Sequence, residues 1–356
     1  MRASTTTTHT RISRANRRMA QDILPIGKLP VELLSRFLKE LPSDNPDVIV
    51  GPGIGMDAAV IRVGDEQLVL KTDPITFATD DIAFYLVTIN ANDIACMGGI
   101  PKYLLATFLL PQGATTPESA NGIFSRLKEA CAQNSITLVG GHTEITHGID
   151  RPVAIGFMVG TIGRHGIIRS SAARPGDAIL LSKGIPLEAT SLLAREFGHR
   201  LDLDEESLRI ARNLIYEPGI GVARDAQIAL DAGGVSAMHD PTEGGLATGL
   251  SEVASASGCG LEVFLESIPR IELSEKILNA FSMDPLGALA SGSLIVCCRH
   301  ENADGILAAW RGAGIKGARI GVMTPSKDLV LHRGGKPGPL PQFRSDEITK
   351  AFQDWG

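Results

Sequence analysis

A chain of 356 residues, 44% hydrophobic and 21% charged, is long enough for two cores and too apolar to remain disordered. Its 34 basic and 40 acidic residues leave a net charge of −6, and no basic stripe marks a nucleic-acid partner. No apolar run approaches the roughly 20 residues of a membrane-spanning helix.

Residues 1–18 carry four consecutive threonines, then Arg11, Arg14, Arg17 and Arg18, with no acid. Such a segment buries no core; it reads as a disordered tail, either a transit-like leader or sequence upstream of a true start at Met19. An amphipathic helix follows at about 30–41, with Leu33, Leu34, Phe37, Leu38 and Leu41 on one face. A glycine turn, Gly51-Pro52-Gly53-Ile54-Gly55, leads into strands at 58–63 and 67–72 and a helix at 81–97. Then come a strand at 101–110, a helix at 117–133, and strands at 136–140 and 153–163.

A Ser/Ala run closed by Pro175-Gly176 marks a domain boundary near 170–171. The second half repeats the alternation, with helices at 186–197, 222–231, 244–257 and 273–281. Its strands are at 178–182, 235–239, 261–265, 294–298, 318–323 and 329–332. The expected division is a tail to 18, an N-terminal domain 19–170, a C-terminal domain 171–345 and a tail 346–356, with the chain after Gly334 poorly packed. Alternating strands and helices imply an α/β or α+β architecture. The five cysteines, Cys96, Cys131, Cys259, Cys297 and Cys298, form no CxxC pair, which fits a reducing cytoplasm.

The chemistry lies in a series of acids, each at the edge of a glycine turn or an apolar strand. Asp57 follows the glycine turn, Asp73 ends a strand, Glu144 follows Gly140-Gly141-His142-Thr143, and Asp240 opens Pro241-Thr242-Glu243-Gly244-Gly245. Magnesium takes carboxylate oxygens and substrate phosphates, and glycine turns let a polyphosphate approach backbone N–H groups. Taken singly, each acid is equally a cap or a turn residue. Asp93 differs, because it interrupts the apolar helix around Ile89, Ile94 and Met97; a buried carboxylate there needs a metal or a basic side chain as partner. His142, His147 and His239 lie near these acids, and His142 adjoins Thr143 and Glu144, where it would touch a phosphate or move a proton.

The run from Thr72-Asp73-Pro74 to Asn92-Asp93-Ile94-Ala95-Cys96-Met97-Gly98-Gly99-Ile100-Pro101 resembles the aminoimidazole ribonucleotide synthetase (PurM-like) superfamily, which includes thiamine-monophosphate kinase, selenophosphate synthetase and the hydrogenase maturation protein HypE. Asp57-Ala58-Ala59-Val60, Gly140 to Glu144, and Asp240 to Ala247 match further family elements, the last closest to HypE. The resemblance implies an α+β two-domain fold: an N-terminal α+β domain forming a β-barrel across a homodimer, and a C-terminal α/β domain closing on ATP. By motif position Asp57, Asp73, Asp93 and Glu144 would hold Mg²⁺. Gly53, Gly55, Thr72, Asn92, Gly141, Thr143, Thr242 and Gly244 would line the nucleotide, and Asp93, Asp240 and His142 would serve the chemistry.

The implied reaction is transfer of phosphate from ATP to an amide- or carboxyl-type oxygen of a small substrate or carrier, as a ligase, dehydratase or transferase. Alternatives are a non-catalytic ATP-binding maturation partner and a thiamine-monophosphate-kinase-like small-molecule kinase. Three departures bear on this. No cysteine follows Cys298, whereas HypE acts on one at its own C-terminus; Glu243 stands where HypE usually has Arg; and Met56 fills the first of the kinase's paired acids.

Overall fold

The computed structural model describes residues 24, 26–42, 44–78 and 80–354, so the expectation for residues 1–18 lies outside it. After α1 (Val31–Lys39), the first domain comprises β1 (Val48–Val50), β2 (Ala59–Val63), β3 (Glu66–Ile75), α2 (Ile82–Cys96), β4 (Gly99–Pro111), α3 (Pro117–Gln133), β5 (Thr137–Thr146) and β6 (Val153–Ile162). Its sheet runs β1-β2-β3-β6-β4-β5, antiparallel except for β4 with β5. In β6, Ala154 and Met158 are fully buried while Phe157 between them is exposed, the period-2 pattern of a sheet covered on one face. All 15 residues of α2 are buried, because one side packs on β3, β4 and β6 and the other on the second domain.

The second domain contains β7 (Ala178–Ser182), α4 (Leu187–Glu196), α5 (Glu205–Asn213), α6 (Ala223–Ala232), β8 (Val235–His239), α7 (Gly245–Ser257), β9 (Gly260–Phe264), α8 (Ser274–Ala280), β10 (Ile295–Cys298), α9 (Ala303–Gly312), β11 (Gly317–Thr324), β12 (Leu329–Arg333), β13 (Lys336–Pro339) and α10 (Thr349–Asp354). Its sheet, β13-β12-β9-β11-β7-β10-β8, is antiparallel except for β9 with β12. Central strands β7 and β10 are buried throughout, between α7 on one face and α6 with α9 on the other. The molecule is thus an α+β protein of two sheets. Side chains of α4, α8 and α10 join the core of the first domain, so one apolar cluster spans both units. Among the described residues no helix is long and apolar enough to cross a membrane.

Three elements differ from expectation. Helices α5 and α9 are additional: Asp204 caps α5 by accepting from the Ser207 N–H, and α9 buries Trp310, whose Nε1 donates to the Asp225 carbonyl. The chain after Gly334 is packed rather than loose. It adds β13 to the sheet edge; then Asp346 accepts from the N–H groups of Gly244, Leu289 and Ile348, and Ile348 and Ala351 are fully buried. The glycines and prolines there suit an edge strand and a turn.

Candidate acidic site between the domains

Strand alternation puts Lys71 and Asp73 of β3 on the sheet face covered by α2, and Thr72 on the open face. Asp93 of α2 comes down onto the same place: Lys71 Nζ lies 3.2 Å from Asp93 Oδ2 and 3.9 Å from Asp73 Oδ2. Asp57 enters from the glycine turn ahead of β2, and Asp240 from the end of β8 in the second domain. Both are buried, and Asp57, Asp240 and Cys96 bring ligand atoms within 4.8 Å of one another. Four of the acids singled out in the sequence therefore converge where the two domains meet.

The cluster carries its own cations. His239 Nδ1 is 2.6 Å from Asp57 Oδ1, its Nε2 is 2.9 Å from Glu252 Oε2, and Lys28 Nζ is 3.2 Å from Glu252 Oε1. Burial opposes the charge on His239, but Asp57 and Glu252 outweigh it and hold the imidazolium well above its usual range. Burial likewise opposes charge on Glu252, yet hydrogen bonding from His239 and the charge of Lys28 draw its pKa to about 2. Lys71 is held charged by Asp93 and Asp73 against its burial. Desolvation pushes Asp93 well up and Asp240 up to about 7, with Asp57 adding to the rise of Asp240. Glu243, raised by burial, faces Lys28.

The donors suit divalent cations. Oδ2 of Asp57 and Oδ2 of Asp240 have no hydrogen-bond partner although they are buried, and Asp93 Oδ2 has only the Lys71 ion pair. Orphaned buried carboxylate oxygens are costly without a cation, and hard oxygen ligands are what magnesium takes.

Other candidates are placed differently. Gly140 to Glu144 expected beside the phosphates runs through the middle of β5, the outer strand, and His142, Thr143 and Glu144 are exposed, with His142 Nε2 3.2 Å from Glu144 Oε2. Register links Asp73 to Gly156, Ala106 and Gly141 across three strand spacings, about 14 Å. Within the chain neither His142 nor Glu144 reaches the cluster. Gly141 answers a packing need, since a Cβ there would lie 1.9 Å from the Ala106 carbonyl oxygen.

Asn92 is spent on holding the domains together: its Nδ2 donates to the Ile220 carbonyl at 2.9 Å, and its Oδ1 accepts from the Val222 N–H at 2.8 Å. The Gly244 N–H donates to Asp346, and Thr242 gives its carbonyl to Gly245 and Ala290. Gly53 is exposed in the turn, whereas Gly55, at φ 72°, lies against the Glu252 backbone, where a Cβ would come within 2.8 Å. His239, near these acids in the sequence, is hydrogen-bonded through both ring nitrogens. Lys71, Lys28, Glu252 and Cys96 were not singled out; for Lys71 the signal was its period-2 spacing from Asp73.

Residues 55–162 match the family described as AIR synthase related protein, N-terminal domain, and residues 174–334 its C-terminal domain. The chain is similar to the carbamoyl dehydratase HypE of Cupriavidus necator, with 31% identity over 279 residues that cover 74% of this chain and 75% of the relative. Its fold is similar to HypE in a HypE–HypF complex (TM-score 0.72, 20% identity, 88% of this chain and 100% of the other). It is similar also to HypE solved in complex with ATP (TM-score 0.66, 23% identity, 94% and 96% covered).

Proposed function

The chain belongs to the AIR synthase related family, and from that premise we propose that it is an ATP- and Mg²⁺-dependent enzyme transferring phosphate to an amide- or carboxyl-type oxygen of a small substrate or carrier. The observation that carries this is the convergence of Asp57, Asp73, Asp93 and Asp240 at the domain junction, with orphaned buried oxygens on two of them. Kinship with a carbamoyl dehydratase and a fold shared with an ATP-bound HypE support it. Asp57, Asp73 and Asp93 are the residues that would hold magnesium. Bound there, it would neutralise triphosphate oxygens and polarise the transferred phosphoryl group.

The chain's own groups do the rest. Lys28 and Lys71 bring positive charge to a place crowded with carboxylates, and Lys28, paired with Glu252, also offsets the charge of Glu243. Catalysis in such a site is alignment and charge compensation, with no covalent nucleophile required. Residues 346–354 are docked into the fold, with Phe352 tilted against Phe77 and edge-on to Phe197, which favours an acceptor other than this segment. The open sheet face, bearing Thr72, Leu105 and Phe157, is assigned to a second copy of the chain in a homodimeric barrel; Glu144 then serves a site only from that second copy.

Calorimetric titration with ATP, with and without Mg²⁺, tests the nucleotide site. Magnesium-dependent binding at micromolar strength, about 8 kcal/mol, that disappears in Asp73→Asn and Asp93→Asn variants is expected. Absence of binding in both conditions would overturn the assignment, and binding without turnover on any acceptor would reduce the chain to a nucleotide-binding partner.

A further inference from the structure

We propose that Glu188 is a catalytic residue of the phosphoryl transfer, the group that takes the proton from the nitrogen of a neutral amide acceptor bound between α2 and α4. This rests on the preceding reading and narrows the acceptor from amide or carboxyl to an amide that bears an N–H.

Glu188 is the second residue of α4 and is 7% exposed. The N–H and the hydroxyl of Ser291 both donate to it, and among the described residues no Lys, Arg or His is ion-paired with it. A buried carboxylate ordinarily has a cation beside it; this one has two hydrogen bonds and keeps acceptor capacity for a ligand. Across from it, Tyr85 and Thr88 lie one turn apart on α2, on the face that Asn92, one turn further on, directs at the second domain. Tyr85 and Thr88 are 0% and 3% exposed, and neither hydroxyl has a hydrogen-bond partner. Buried hydroxyls left unpaired are costly, and a polar ligand would satisfy them.

The charges place this group. Burial first, then the carboxylate of Glu188, raise the Tyr85 hydroxyl, so the two share one locality. Burial pushes Glu188 up to about 7 against the Ser291 hydrogen bonds, and Glu243 and Asp73 add to the rise, which sets Glu188 beside the acidic cluster. Arg195 of α4, two turns away, is paired with Asp80, and Arg212 of α5 donates to the Ala194 carbonyl at that same far end. Glu188, Glu243 and Asp73 together repel a carboxylate. An amide is neutral, offers its N–H to Glu188, and finds the hydroxyls of Tyr85 and Thr88 for its other polar atoms.

A carboxylate titrating near neutrality is a base of the right strength for this step. As the amide oxygen attacks the γ-phosphorus, the bond from that phosphorus to the β,γ-bridging oxygen breaks and ADP leaves. The N–H bond breaks and its proton passes to Glu188, forming a carboxyl O–H. The carbonyl becomes C–O–P, and the carbon–nitrogen bond becomes double. No oxidant or reductant takes part.

Acetamide is the probe. Saturation-transfer NMR on the full chain is expected to show acetamide bound and acetate excluded, with the signal reduced in the Tyr85→Phe/Thr88→Val double variant. With Mg²⁺ and ATP, acetamide should stimulate ADP release along a profile that rises through about pH 7 as Glu188 ionises. Glu188→Gln should lower the stimulated rate by about a hundredfold and remove that rise; Glu188→Asp should restore part of both, and circular dichroism checks that each variant folds. Absence of an acetamide signal, acetate binding as well as acetamide, or bound acetamide without stimulated ADP release would each overturn the proposal. So would a Glu188→Gln rate within about tenfold of the parent with its pH profile intact. Calorimetric ATP binding, measured in parallel, reports on the nucleotide site alone, so the failure of that reading is distinguishable from the failure of this one.

Discussion

Lys71 Nζ stands 3.2 Å from Asp93 Oδ2 and 3.9 Å from Asp73 Oδ2, so an amine of the chain itself occupies the space between two carboxylates assigned to metal. The carboxylate that interrupts an apolar helix has the basic partner that its burial demands. That pairing means the acidic site is charge-compensated before any ligand arrives, by Lys71 here and by His239 on Asp57.

Replacing Lys71 by Met leaves Asp73 and Asp93 facing one another without a counter-ion. Breaking a buried pair by removing one partner costs about 3 kcal/mol or more. A urea-denaturation loss of that size at neutral pH is expected, and adding Asp93→Asn to the same chain should recover most of it. A loss under about 1 kcal/mol, or one untouched by the second change, would show that the pair carries little of the stability.

Much of this site could be read from the chain because burial leaves a mark in sequence. Asp93 among Ile89, Ile94 and Met97, and Asp73 and Asp240 at the ends of apolar strands, are charges where apolar residues are the rule. Lys71 carries no such mark alone; it matters because residues two apart on a strand share a face. The segment from Gly140 to Glu144 lies away from the cluster of its own chain, and that placement was illegible for a complementary reason. Paired glycines suggest a phosphate turn, but here Gly141 lets β5 approach β4, and nothing local distinguishes a cradle from a close strand contact. The docking of residues 346–354 was equally illegible, since Asp346 is explained only by Gly244 and Leu289, about 100 and 60 residues away in sequence.

Asn92 offers a test of the junction that needs no ligand. Its amide donates to the Ile220 carbonyl and accepts from the Val222 N–H across the two domains. Asn92→Ala strands a buried donor and a buried acceptor, at a cost of about 2–4 kcal/mol. Amide hydrogen exchange at Val222 should quicken in that variant while the strands of the second sheet stay protected. Unchanged protection at Val222 would mean that other contacts hold the junction.

Glu188, buried in α4 and hydrogen-bonded by Ser291, has its pKa pushed by burial up to about 7. The folded value exceeds the unfolded one of about 4.5, so the folded state binds the proton more tightly. Stability from this group is fully present below about pH 4.5 and falls as pH rises toward 7, by about 3 kcal/mol at most. Glu188→Gln should remove that slope and leave the protein more stable than the parent at pH 8. Thermal denaturation from pH 4.5 to 8 reads it; parallel curves for parent and variant would show that Glu188 is ionised throughout.

The open face of the first sheet supplies the last prediction. Leu105 on β4 pairs with Phe157 on β6, both more than a third exposed, beside the exposed strand β5. A twisted sheet with one face packed and an apolar row on the other exposes a patch that soluble proteins cover with a partner. If the partner is a second copy, the parent chain sediments as a dimer, and a carboxylate at the centre of the face must be desolvated on association. Leu105→Asp or Phe157→Asp should weaken the dimer by about a hundredfold, near 3 kcal/mol, without changing the circular dichroism of the monomer. Since Asp57, Asp73, Asp93 and Asp240 all belong to one protomer, the monomeric variants keep their cation affinity in proportion to how little a partner's Glu144 contributes. A parent chain that sediments as a monomer, or a dimer indifferent to both substitutions, would assign the face to something other than a second copy.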